Sequence, residues 1–227
     1  LQMRLPYAAL AVLMLGLARP SWGVGLELVI EGREAELAGR RDAALTAYGE
    51  AAKAGDLTNA QKAYVYSRMG SIRGYLGENI KAISDYTKAV ELDAKLGRAY
   101  SLRGYLRGAV GQYDLAEKDH QAAVALAKDQ KSDDYLPWVL QHYADLWRRR
   151  GDFARALKYC DQADRAKKSP AVAFRRAWIY LDMGKAAEAK AEFQRFMKES
   201  QGVDFRVFWP DERGAISRLQ ELRANEP

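Results

Sequence analysis

Cysteine is nearly absent. Cys160 is the only one in 227 residues, so no intramolecular disulfide can form and stability must come from packing. Histidine is scarce too, with His120 and His142 alone, and neither has a Cys or second His at metal-ligand spacing. No zinc site, other metal or cofactor is therefore expected. The chain lacks a Gly-rich phosphate loop, a nucleophile elbow and a His-containing catalytic pair. No catalytic residue is assigned, and a non-enzymatic role is expected. The net charge is a moderate +6, with acids interspersed among the bases instead of a basic stripe. That balance argues against nucleic acid and fits acidic protein partners. The apolar run Leu5–Leu17 is shorter than the roughly 20 residues a membrane-spanning helix needs.

What the chain does have is a period. Gly39, Gly77, Gly111, Gly151 and Gly184 lie 38, 34, 40 and 33 residues apart. Seven residues before each stands Gly32, Gly70, Gly104, Ala144 or Ala177. Five residues after each comes Ala44, Ala82, Ala116, Ala156 or Ala189, and four further on Tyr48, Tyr86, His120, Cys160 or Phe193. Ala51, Ala89, Ala123 and Ala163 close four of the units; Phe196 takes that place in the last. A period near 34 with helix-length segments on both sides gives two helices per unit. The glycines stop and reverse the first helix, the small residues let paired helices approach, and the large flat residues fill the gap between units. Cys160 and His120 read as packing residues.

This pattern resembles the tetratricopeptide repeat family. Tyr64–Leu92 and Arg98–Leu126 carry it best; in the first unit Arg41 stands where the family prefers an aromatic, and its unit-ending Pro survives only around Pro170. The resemblance spans roughly residues 25–203 and implies an all-α, right-handed superhelix of about five helical hairpins. Arrays of this kind usually hold other molecules. The expected division is residues 1–23 as a signal or membrane-proximal segment, 24–203 as the array, and 204–227 as a C-terminal capping helix. In the cap, Ile216, Leu219 and Leu222 fall at helical spacing. The two longer links, Lys53–Lys62 and Lys128–Pro137, read either as contact sites or as tolerated insertions.

Residues 3–23 read as a secretory signal: a basic start at Arg4, the apolar run, and small residues at Ser21 and Gly23 before a cleavage point. The expected location is the bacterial periplasm or envelope. The alternative is an uncleaved segment that tethers residues 3–18 to the membrane.

The resemblance implies that first helices line a concave groove. Its positions fall on Arg33 in the first unit and Tyr64, Arg68 and Tyr75 in the second. Arg98 and Tyr105 follow in the third, Trp138, His142 and Arg148 in the fourth, and Phe174, Arg175 and Trp178 in the fifth. Arg forks onto carboxylates and aromatic faces hold apolar side chains. The groove thus suits an extended or helical peptide with acidic and apolar residues. The competing reading is that these arginines make ordinary surface ion pairs. Ser71 and Tyr105 occupy the place where carboxylate-gripping members of the family carry Asn, so that grip is not expected. Trp138 and Trp178 are expected to be incompletely buried, and Gly74 and Gly108 read either as packing positions or as places where a ligand backbone approaches closely. The run Trp147–Arg150 reads as a solvated helix end. The functional expectation is an interaction scaffold or adaptor. The alternatives are a periplasmic assembly factor or chaperone, an accessory subunit of an envelope enzyme complex, or an enzyme using groove acids such as Asp145 or Asp182.

Overall fold

The computed structural model describes residues 23–130, 135–200 and 210–224. Among them are eleven α-helices and no strand. They run α1 (Val24–Leu37), α2 (Arg41–Lys53), α3 (Asn59–Tyr75), α4 (Asn79–Leu92), α5 (Gly97–Ala109), α6 (Tyr113–Asp129), α7 (Tyr135–Arg149), α8 (Phe153–Ala166), α9 (Pro170–Asp182), α10 (Ala186–Glu199) and α11 (Pro210–Ala224). The first ten pair in sequence as five hairpins. The signal segment expected at residues 3–23 lies outside the described residues, apart from Gly23. No described helix is long and apolar enough to cross a membrane.

The five turn glycines adopt positive φ, between 71° and 81°. After each, the next amide donates to the carbonyl five residues back. Arg40 reaches Ala35 at 2.8 Å, Glu78 reaches Arg73 at 2.9 Å, and Gln112, Asp152 and Lys185 repeat the bond. This is the Schellman closure of a helix end, and it requires the left-handed residue that Gly supplies. Period and turn thus have one physical cause.

The small residues act within hairpins. A methyl on Gly32 would lie 2.7 Å from the Tyr48 ring, and one on Gly70 would lie 3.0 Å from Tyr86. These tyrosines are fully buried. The sequence places the large flat residues between units. Tyr86 does share a cluster with Leu102 and Tyr105 of the next hairpin, and the Tyr48 and Tyr86 rings also lie on the bare backbone of their own hairpin partners. A methyl is already too large at Gly32. In the fourth hairpin Ala144 is accommodated alongside the smaller Cys160.

The chain divides into two compact units, Leu1–Thr58 and Asn59–Pro227. In the first, Tyr48 donates to Glu36 at 3.1 Å. Asp56, in the first long link, accepts from the Gly25 amide at 3.1 Å and so caps α1. That link has a structural task. In the second unit, α5 and α7 pack side by side, as do α7 and α9, and α11 packs on α9 and α10. Phe196 joins Phe174, Ile216 and Leu219 in one cluster, which explains the departure from Ala in the last repeat.

Candidate functional site

The first helices α3, α5, α7 and α9 carry the residues assigned to the groove in the second unit. They fall into two sets. The accessible set lies on α3, α5 and the start of α7. Tyr64 and Arg68 are half-buried and Arg98 is exposed. The Arg98 guanidinium sits 5.2 Å over the Trp138 ring, a cation–π contact that leaves the cation facing solvent. Trp138 is half-buried, as expected, and meets His142 edge-on at 4.3 Å. His142 lies 5.3 Å from Tyr105, and its Nδ1 shares a hydrogen with the buried Ser101 hydroxyl at 3.0 Å. Burial and the nearby Arg175 cation push the His142 pKa well below its ordinary value, so the ring is neutral.

The second set is closed over. Trp178 is only 5% exposed, against the expectation of incomplete burial. The Arg148 guanidinium covers its ring at 3.8 Å, and the cluster with α11 covers the rest. Phe174 is buried in the same cluster. Arg148 and Arg175 are buried as well, and their charges are met internally. Asp145, itself 1% exposed, accepts from Arg148 Nε at 2.9 Å and from Arg149 Nε at 2.5 Å, with Arg175 Nη1 at 3.4 Å. Arg148 also donates to Asp182. Arg175 Nη2 donates to Glu212 of α11 at 2.9 Å. Burial disfavours ionised Asp145, but Arg148, Arg149 and Arg175 outweigh it and hold the carboxyl far below the usual range. Burial likewise opposes the Arg175 charge, and Asp145 and Glu212 more than restore it.

For Arg148 and Arg175 the ion-pair reading is therefore the correct one, in buried and not surface form. The solvated-end reading of Trp147–Arg150 is corrected too. Trp147 is buried, with Arg155 at 3.6 Å and Arg150 at 5.2 Å from its ring. Arg150 bonds Glu117 at 2.9 Å and Asp114 at 2.7 Å across to α6. Tyr75 carries the Arg213 guanidinium at 5.4 Å from its ring, and Arg149 covers Tyr105 at 5.3 Å. Arg33, in the first unit, pairs with Glu36 at 3.4 Å. A methyl on Gly108 would meet Leu146 and Arg149 at ordinary contact distances, 3.7 and 3.6 Å. A methyl would fit there, so helix packing does not require that glycine.

His120 is a buried packing residue stacked on Tyr143 at 5.3 Å. It is not satisfied, however: neither ring nitrogen has a hydrogen-bond partner in the protein. Burial lowers its pKa to about 3. Cys160 is fully buried and its thiol is pushed up to about 12, which makes it inert at neutral pH. Among the described residues no three His, Cys, Asp or Glu converge as a metal site.

Sequence reasoning missed two features. One is a part-buried Arg–Asp clasp inside hairpins, Arg73 with Asp85 at 2.6 Å and Arg107 with Asp119 at 2.8 Å. Each pair lies twelve residues apart in the two best repeats, a recurrence the sequence displays. The other is Glu212, which carried no signal because only the fold brings it to Arg175.

A family model described as tetratricopeptide repeat matches residues 63–96 and 171–201. Those two segments match the tetratricopeptide repeat. They coincide with the second and fifth hairpins, and the intervening hairpins share their turn and packing. Solved structures agree on the fold. A thermophilic tetratricopeptide protein of Thermus thermophilus is 16% identical and superposes with a TM-score of 0.65, over 88% of this chain and 99% of its own. MamA from Desulfovibrio magneticus RS-1 is 16% identical, covers 81% and 100%, and gives 0.62. A chain of the Cut9–Hcn1 hetero-tetramer of the APC/C is 16% identical and gives 0.64, over 86% of this chain but 36% of that one. No curated protein matches the sequence.

Proposed function

We propose that this tetratricopeptide array is a non-enzymatic protein-interaction scaffold. Its first-helix face, at α3, α5 and the start of α7, receives a partner segment with acidic and apolar residues. The observation that carries this reading is Arg98 over Trp138: an exposed cation on a half-exposed aromatic, neither absorbed by the buried network next to it. A carboxylate on Arg98 with an apolar side chain on Trp138 would use both. That a chain of similar fold belongs to the Cut9–Hcn1 hetero-tetramer supports an assembly role. The basic start and apolar run within residues 3–23 support action in a bacterial envelope, tested by mass spectrometry of the native N-terminus.

The test replaces Arg68 and Arg98 together by Glu. The double variant keeps its helical circular dichroism and melting temperature but loses the proteins that co-purify with the wild type. Retention of the same partners by the folded variant rules the face out.

A further inference from the structure

The C-terminal helix does more than close the last hairpin. An end cap needs to cover only α9 and α10. Yet Arg213, near the start of α11, lies over the ring of Tyr75, the last residue of α3 in the second hairpin. Glu212 meanwhile meets Arg175. The start of α11 therefore lies across the first-helix face.

Glu212 uses its seat incompletely. It takes Arg175 Nη2, while Arg175 Nε, on the same edge of the guanidinium, is buried and makes no hydrogen bond with the protein. That edge is a two-pronged fork suited to both oxygens of one carboxylate. One prong is filled. Asp145 and Asp182 meet Arg148, Arg149 and Arg175, and Arg218 of α11 also reaches Asp182 at 3.5 Å. The apolar hold is short, with Ile216 and Leu219 as its large buried side chains. Glu212, Ile216 and Leu219 stand at i, i+4 and i+7, the spacing by which a helix reads a groove.

We propose that α11 is a placeholder. Its seat takes a partner's amphipathic helix whose carboxylate forks onto Nε and Nη2 of Arg175 and whose aliphatic residues, four and seven positions on, replace Ile216 and Leu219. This rests on the reading that the first-helix face captures partner segments, and it names the partner's pattern. It also gives the array a gate, since binding requires α11 to leave.

The test uses the full chain with Ile216→Asp and Leu219→Asp, which unseats α11. The probe is a fluorescein-labelled peptide of residues 210–224, followed by anisotropy. The unseated chain should bind it about tenfold or more tighter than the wild type does. Emission from Trp178 should shift to the red on unseating and return when peptide binds. The same peptide with E212Q should bind roughly ten- to a hundredfold more weakly, as loss of a charged hydrogen bond implies. In the unaltered chain, amides of α11 should exchange faster than those of α9. An unseated chain with unchanged helical signal that takes up no peptide overturns the proposal. So does equal binding of the E212Q peptide, equal protection of α11 and α9, or a wild-type dimer formed by swapping α11 between copies. If the peptide behaves as expected while the Arg68/Arg98 variant keeps its partners, the seat stands and the broader reading of the face falls.

Discussion

His120 should make the array sensitive to mild acid, and the size of the effect follows from its site. The ring occupies the slot that Tyr86 fills one repeat earlier, but Tyr105 stands where Ser71 would give the ring a polar partner. Both nitrogens are left without protein partners, and the pKa falls from 6.5 to about 3. Because the folded value lies below the unfolded one, acid protonates the unfolded chain first. Stability is intact above about pH 6.5 and drains as pH falls towards 3. With those two values, linkage gives a loss of about 2 kcal/mol at pH 5, to which His142 adds with the same sign. His120→Phe should fit, since Phe193 fills the equivalent slot in the fifth hairpin. It should remove about 2 kcal/mol of the pH 7.5-to-5 loss and also raise stability at pH 7.5 by about 1 kcal/mol, as an unpaired buried polar group disappears. Urea unfolding followed by circular dichroism at both pH values measures this. An equal pH dependence in wild type and H120F would refute the reasoning.

Two glycine substitutions should have opposite signs. Gly32→Ala drives a methyl to 2.7 Å from the Tyr48 ring and should cost about 1–3 kcal/mol, whereas Gly108→Ala meets only ordinary contacts and should gain about 1 kcal/mol of helix propensity; thermal melts of the two variants check the contrast. Asp145→Asn removes the carboxylate that Arg148, Arg149 and Arg175 share, and should destabilise by about 3–5 kcal/mol in urea titration.

The fold was legible because its determinants are local and repeat. A turn glycine with φ near 75° and a small residue seven positions earlier act through the backbone, and five copies make the pattern hard to miss. The candidate face was half legible. Spacing located Arg98 and Trp138 on the accessible side. The same spacing offered Arg148, Arg175 and Trp178, where long-range partners decide the outcome. Asp145 stands three and four residues before Arg148 and Arg149 on α7, a local pairing that helical spacing displays, whereas the Arg175–Asp145 and Arg148–Asp182 pairs depend on the offset between α7 and α9, which a single repeat does not encode. Glu212 lies 37 residues from Arg175, beyond the array itself. His120 shows the same limit. The slot was recognised, but its lack of a hydrogen-bond partner depends on what the facing helix supplies.

The central claim is that partners are held on the first-helix face. Photo-crosslinking tests it most directly, with a benzoylphenylalanine placed in turn at Trp138 and at Ile80, which is 65% exposed on the second helix α4. Adducts with co-purifying proteins should form from position 138 and be absent from position 80. Adducts from position 80 with none from 138 would contradict the account.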